Sequence, residues 1–309
     1  MSERIAFLGV GNMGSRMVRR LISAGYAVTV FDPNQVAAGA VRDAGAGTAD
    51  SPASAATGAD VVLCSLPTPQ AVIDATIGDN GVVHSLRPGA TVVDMSTTDP
   101  ATAQRVAGTL ASAGINFLDA PVSRGVAAAA NGTLAIMVGG DEEIVDSCRG
   151  LLSHLGTDIV HVGPVGCGEM TKLCNNMMAA ITMQGLAEVL VTGVKAGLDL
   201  KVLAEVMSMS SGGSWILTNY LPMTIFAGDN SAKFSLDLMH KDIGLYSEAA
   251  ETLGLANPLS AICVQTHRMA KSRGYGSLDY SAMVSFFEEL AGVRLVPSED
   301  VATPKEVEQ

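Results

Sequence analysis

Along the first half of the chain, short β-branched apolar runs alternate with segments whose apolar residues recur every three or four positions. Ile5 to Gly9, Val28 to Phe31, Val61 to Ser65, Thr91 to Asp94 and Phe117 to Ala120 read as strands, each followed by an amphipathic segment. That alternation implies a parallel sheet with helices on both faces. Leu134 to Val138 and Ile159 to Val162 extend the sheet, with a helix over Glu142 to Leu155 between them. After Gly163-Pro164 the strand signal stops. Helical periodicity then covers Met170 to Ala196, Leu200 to Met209, a run near Tyr220, Leu236 to Leu253, Leu259 to Arg273 and Tyr280 to Leu290. The expected architecture is an α/β N-terminal domain over residues 1–164 with a mostly parallel, doubly wound sheet, and an all-α C-terminal domain over 165–295. A long interdomain helix joins them. Residues 296–309 are acidic and carry no apolar period, so a flexible tail is expected there.

Composition changes this picture only at its margins. At 309 residues and 48% hydrophobic the chain can bury ample core without staples. Its five cysteines, Cys64, Cys148, Cys167, Cys174 and Cys263, are an odd, scattered set with no metal spacing, which points to a reducing compartment. The first strand begins almost at once, leaving no room for a secretory leader, and the reading is cytoplasmic. A net charge of −12 with no basic cluster argues against nucleic acid. The positive mean hydropathy raises a membrane question at Leu173 to Leu198. Asn175, Asn176, Gln184, Glu188 and Lys195 inside that stretch would be costly in hydrocarbon, so a buried helix of a soluble protein is expected instead.

The first strand runs into Gly9-Val10-Gly11-Asn12-Met13-Gly14 and then an amphipathic helix, which is the context a dinucleotide fingerprint requires. Gly9 allows the tight turn, Gly11 lets backbone approach the pyrophosphate and Gly14 permits close helix–strand packing, so the Rossmann-type arrangement and the cofactor contacts of Gly9 to Gly14, Asn12 and Met13 included, are expected together. Asp32 ends the second strand, where a carboxylate accepts from ribose hydroxyls and repels a 2′-phosphate. NAD is favoured over NADP. Leu66, Pro67 and Thr97 lie at later strand ends on the same edge and are placed at the nicotinamide half by position. The histidines show no ligand spacing, so no metal is expected.

Lys172 and Asn176 stand four residues apart and project from one face of a helix whose neighbours Leu173, Cys174, Met177, Met178 and Ala180 are apolar. A lysine there is suited to general acid–base work. Hydride arriving at a carbonyl carbon leaves negative charge on oxygen, which an ammonium stabilises and neutralises; in reverse, the neutral amine accepts the hydroxyl proton. Asn176, both donor and acceptor, would orient the hydroxyl and the lysine. The turn Ser123-Arg124-Gly125 after the fifth strand suits a substrate carboxylate through the Ser123 hydroxyl and the Gly125 N–H.

Four blocks in order give the chain its resemblance to the β-hydroxyacid dehydrogenase family, the group of the 3-hydroxyisobutyrate dehydrogenases: Gly9 to Gly14; Asp119 to Gly125 with Asn131-Gly132-Thr133-Leu134; Gly168 to Asn176; and Phe234 through Lys241-Asp242. The resemblance covers nearly the whole chain. It implies an NAD-dependent oxidoreductase with Lys172 as acid/base, a small anionic hydroxy acid or aldehyde as substrate, and a homodimer or homotetramer. It also implies that Lys241 approaches the nicotinamide. Asn175, Phe234 and Asp242 are added to the substrate side. Trp215 either lines the pocket or fills a core or subunit-contact role. Arg124 departs from the family, most of which carry glycine there. Its side chain either points to solvent or reaches into the pocket for a strong anion, as in sulfolactaldehyde reduction. A sensor that binds NAD(H) without turnover is the reading from another class.

Overall fold

A computed structural model describes residues 3–295, so the expected tail at 296–309 lies outside the described residues. The chain divides into two compact units, one ending at Leu173 and one beginning at Cys174.

The first unit alternates strand and helix as its hydrophobic pattern requires. Its strands are β1 (Arg4–Leu8), β2 (Ala27–Phe31), β3 (Gly47–Thr48), β4 (Val61–Cys64), β5 (Thr91–Asp94), β6 (Asn116–Asp119), β7 (Val122–Ser123), β8 (Leu134–Gly139) and β9 (Gly156–Gly163). Between them run α1 (Gly14–Ser23), α2 (Gln35–Arg42), α3 (Pro52–Ala56), α4 (Pro69–Ile77), α5 (Pro100–Ser112), α6 (Gly125–Asn131) and α7 (Glu142–Leu152). The sheet order is β3-β2-β1-β4-β5-β6-β8-β7, with β9 on β8; the pairs from β3 to β6 are parallel, and β8 runs antiparallel to β6 and β7.

Both faces of the central strands β1, β4 and β5 are buried from Ile5, Val61 and Thr91 onward. Ile5, Phe7, Val28, Val30 and Leu63 enter one core, whereas Ala6, Leu8, Val62, Cys64 and Val92 enter the other. Alternate residues therefore bury on opposite faces, and the strands read as continuous apolar runs. The parallel register pairs Leu8 with both Phe31 and Cys64, Cys64 with Asp94 and Asp94 with Asp119, so four strand ends finish level with β1. Chain order reverses direction at β1, between β2 and β4, which makes the carboxyl edge there the place where ligands of such sheets gather.

Helix α8 (Cys167–Lys195) starts four residues after β9, belongs to the first unit through Leu173 and to the second from Cys174. By length and composition it is able to cross a membrane. Its polar Lys172, Asn176 and Gln184 are nonetheless buried within the protein. The second unit continues with α9 (Leu200–Ser208), α10 (Leu236–Thr252), α11 (Pro258–Ser272) and α12 (Met283–Ala291). Met177, Ala180, Met183 and Leu190 of α8 share its core with Leu236, Met239 and Ile243 of α10 and with Phe286 of α12. The expected run near Tyr220 is a π-turn, Ile216–Tyr220, followed by single 3₁₀ turns, because Pro222 removes a donor and breaks the ladder.

Candidate active site

The glycine-rich turn after β1 carries three different constraints. Gly9 holds φ +89°, and a Cβ there would stand 2.3 Å from the Ser65 carbonyl oxygen. At Gly14 a Cβ would fall 1.9 Å from the Gly9 oxygen, so α1 leaves the sheet in contact with the turn. Gly11 is different: its missing Cβ would meet no protein atom within 4 Å, and the residue is exposed. No packing requires glycine there, whereas close approach of a ligand to backbone does. Helices α2, α3, α4, α5 and α7 have side-chain caps from Asn34, Ser51, Thr68, Asp99 and Asp141, but α1 has none. No side chain therefore competes with an anion at the start of α1, where the Ser15 and Arg16 N–H groups bond the Gly11 and Met13 carbonyls at 3.0 and 3.1 Å. These features fit a dinucleotide.

Asp32 is half-buried at the end of β2, where Val10 N–H donates to its Oδ2 at 2.8 Å and Asn34 N–H to its Oδ1 at 2.8 Å. Each oxygen keeps a lone pair for a ribose hydroxyl. Farther along the edge the Ser96 hydroxyl accepts from Leu66 N–H at 2.9 Å, and Asp94 accepts from Ser96 N–H at 3.0 Å. This chain of bonds fixes the turns that carry Leu66, Pro67 and Thr97.

Beyond β6 the buried Asp119 caps the start of α8, accepting from Gly166 N–H at 2.8 Å and Glu169 N–H at 2.9 Å. Its carboxyl sits against Gly139 and Gly168, where a Cβ would approach within 2.5 and 2.8 Å of its oxygens. Burial raises its proton affinity, and the backbone N–H groups oppose the rise. Sequence reasoning gave Asp119 no role of its own. Its cue, an acid at a strand end with glycines far along the chain, becomes legible only once β8 and α8 are folded beside it.

Lys172 and Asn176 are buried one turn apart on α8, at 8% and 4% exposure, as the apolar helix predicted. Asn175 is exposed, and its amide donates to the Asn176 oxygen at 3.1 Å. Asn176 Nδ2 donates to Asp242 Oδ2 at 2.6 Å, and Lys241 Nζ meets Asp242 Oδ1 at 2.8 Å. Asp242, 1% exposed, therefore holds two predicted site residues, Asn176 and Lys241, with its two oxygens. The structure gives it this positioning contact.

Ser123 is half-buried on β7, and Gly125 opens α6 at φ +72°. Arg124 lies between them at φ +82°, the one left-handed residue other than glycine among the described residues. Its guanidinium is exposed and engaged: it donates to Asp158 at 2.5 Å, to the Thr133 carbonyl at 3.1 Å and to the Thr157 hydroxyl at 3.2 Å. Of the two directions open to Arg124, the structure shows the one facing solvent. Trp215 is 63% exposed and starts an aromatic series with Tyr220, Tyr280 and Phe234, centroids 5.0–6.2 Å apart. Asp279, wholly buried, accepts from the Tyr220 hydroxyl and from Lys233 and Phe234 N–H. That anchor fixes Phe234 just ahead of α10. No cluster of three metal-ligating side chains occurs among the described residues.

Residues 4–163 match the family model described as the NAD binding domain of 6-phosphogluconate dehydrogenase, and residues 166–287 the one described as NAD-binding of NADP-dependent 3-hydroxyisobutyrate dehydrogenase. The chain is 40% identical over 296 residues to the NAD-dependent L-serine dehydrogenase of Pseudomonas aeruginosa, covering 94% of this chain and 99% of that one. It is 38% identical over 291 residues to the mitochondrial 3-hydroxyisobutyrate dehydrogenase of Homo sapiens, covering 92% and 87%. The solved 3-hydroxyisobutyrate dehydrogenase of Mycobacterium tuberculosis with L-serine superposes with a TM-score of 0.85 at 34% identity, over 93% of this chain and 99% of that one.

Proposed function

Because the chain belongs to the β-hydroxyacid dehydrogenase family, we propose that it interconverts a small 3-hydroxy acid and its semialdehyde, with NAD as redox partner and Lys172 as acid and base. It is a nicotinamide-dependent oxidoreductase, and its substrates are small hydroxy acids. The buried Lys172–Asn176 pair, steadied by Asp242, is the observation that carries the proposal. An ammonium buried among apolar residues has a chemical use where charge develops on a substrate oxygen. A protein that only sensed NAD(H) would gain nothing from it.

When bound, the dinucleotide accepts a hydride in one direction and gives it in the other. In oxidation the neutral Lys172 amine takes the hydroxyl proton as the carbinol C–H bond breaks; in reduction the Lys172 ammonium returns a proton to the new alkoxide. Asn176 hydrogen-bonds the substrate oxygen and keeps the lysine aligned. Ser123 and the Gly125 N–H hold the carboxylate, while Asp32 selects NAD by accepting from the ribose and repelling a 2′-phosphate. The substrate class is a primary alcohol one carbon away from a carboxylate-bearing carbon, a description that fits both 3-hydroxyisobutyrate and L-serine. With its guanidinium on Asp158, Arg124 lends no support to a sulfonated aldehyde. The five free cysteines suit a reducing compartment, the cytoplasm, and the exposed Val202, Val206 and Met209 of the α9 region suit a homo-oligomer.

Initial rates with NAD and NADP against 3-hydroxyisobutyrate, L-serine and other short 3-hydroxy acids test this reading. NAD-linked oxidation of at least one of them is expected. Tight NADH binding with no turnover of any would overturn it.

A further inference from the structure

Glu169 is a fully buried acid that the mechanism above leaves without a task. It stands on the first turn of α8, three residues before Lys172, and reaches back to the turn that follows β5. Thr98 N–H donates to its Oε2 at 2.9 Å, and the Thr98 hydroxyl lies 3.1 Å from its Oε1. Both groups of one buried threonine are thus taken by one carboxyl, across 71 residues of sequence. Thr98 closes the Ser96-Thr97-Thr98 turn on the carboxyl edge of the sheet, beside the strand ends that carry the dinucleotide residues.

We propose that Glu169 is a positioning residue for the reaction: by clamping Thr98 it sets the turn after β5 at a fixed place relative to Lys172. The proposal rests on the dehydrogenase reading of this site. Helix α8 is already fixed at its start by Asp119, so the Thr98 clamp supplies a second, independent attachment. One attachment leaves a helix free to rotate about it, whereas two set the direction in which Lys172 projects.

The groups facing Glu169 define what kind of clamp it is. Burial is the largest influence on the carboxyl and Asp94 the next; Asp119 adds to both, and the Thr98 hydrogen bonds work against them. The proton affinity of Glu169 is therefore raised well above that of an exposed glutamate. The Thr98 N–H donates to Oε2 and the Thr98 hydroxyl to Oε1; a glutamine keeps the first bond through its amide oxygen and meets the rotatable hydroxyl, then as acceptor, with its NH2.

The test compares Glu169→Gln, Glu169→Ala and Thr98→Val in the full-length protein. In Glu169→Ala, kcat is expected to fall on the order of 10- to 100-fold while NADH affinity changes less than about threefold, the split expected of a misplaced acid/base. Glu169→Gln should restore kcat to within about threefold of wild type, and Thr98→Val should fall between the two. Because the unfolded chain loses this proton first as pH rises, wild type forfeits stability that the glutamine variant keeps. The Tm advantage of Glu169→Gln should therefore widen as pH rises above the usual glutamate range. Amide exchange at Ser96 to Thr98 should quicken in Glu169→Ala, a readout independent of turnover. Unchanged kcat in Glu169→Ala, or Glu169→Gln as slow as the alanine variant, would overturn the proposal, as would unchanged exchange at Thr98. If wild type itself oxidises no hydroxy acid, the dehydrogenase reading fails while exchange still decides the clamp. Should Glu169→Ala not fold, Thr98→Val and Glu169→Gln carry the same comparison.

Discussion

Replacing Asp242 by asparagine changes almost nothing in shape and removes one charge from a buried carboxylate that serves two partners. Asn176 donates to one oxygen at 2.6 Å, and Lys241 forms an ion pair with the other at 2.8 Å. An asparagine keeps one acceptor oxygen and puts an NH2 in place of the other; with the oxygen toward Asn176, that bond falls from the charge-assisted range of roughly 1.5–3 kcal/mol to about 0.5–1.5, a loss on the order of 1–1.5 kcal/mol, and Lys241 loses its ion pair. Lys241 is 21% exposed and recovers part of its loss from water, which keeps the total near 2 kcal/mol rather than the ~3–5 of a sealed pair. About 1.4 kcal/mol of this falls on the bond that orients Asn176, or roughly tenfold in kcat/KM if that orientation matters only in the transition state. Steady-state rates and urea unfolding of Asp242→Asn read the two parts separately. A variant with wild-type kcat/KM and an unchanged unfolding midpoint would refute the claim that Asp242 holds the pair.

Other consequences follow from particular contacts. Gly14→Ala should destabilise by ~3 kcal/mol or more in thermal unfolding, because its Cβ would lie 1.9 Å from a carbonyl oxygen; Gly11→Ala should unfold like wild type yet bind NADH at least ~10-fold more weakly in a fluorescence titration. Burial pushes the His267 imidazole down from 6.5 to about 4. The unfolded chain therefore takes up this proton first on acidification, and stability contributed at neutral pH should be lost between about pH 6.5 and pH 4, by ~3 kcal/mol, in urea titrations of wild type but not of His267→Phe. Arg124→Gly relieves a left-handed arginine worth roughly 1–2 kcal/mol of strain and gives up an exposed ion pair that water screens. Its stability should stay within about 1 kcal/mol of wild type and its KM for a carboxylate substrate within about threefold, so a much larger KM would mean that the arginine reads the substrate.

What was legible in the sequence followed from local pattern. The buried strands announced themselves as β-branched runs, and the glycine turn with Asp32 after β2 placed the dinucleotide end. The two-residue strands β3 and β7 carry no such pattern, since Gly47-Thr48 and Val122-Ser123 become strands only by pairing with β2 and β8. The roles of Asp119 and Glu169 were hidden for a similar reason: their partners lie 47–71 residues away and are brought near by the fold. Arg124 could not be oriented from its neighbours, because Asp158, the residue that captures it, sits on β9. The burial of Lys172 and Asn176 was readable because the helix that carries them is apolar nearly all round.

Whether Lys172 moves the proton is decided by the rate of hydride transfer in Lys172→Ala, followed by NADH absorbance in a single turnover with NADH affinity measured on the same sample. A fall of about 10²–10⁴-fold in the transfer rate is expected, with dinucleotide binding intact. Transfer within a few-fold of wild type would mean that another group handles the proton and that the buried lysine serves only the fold.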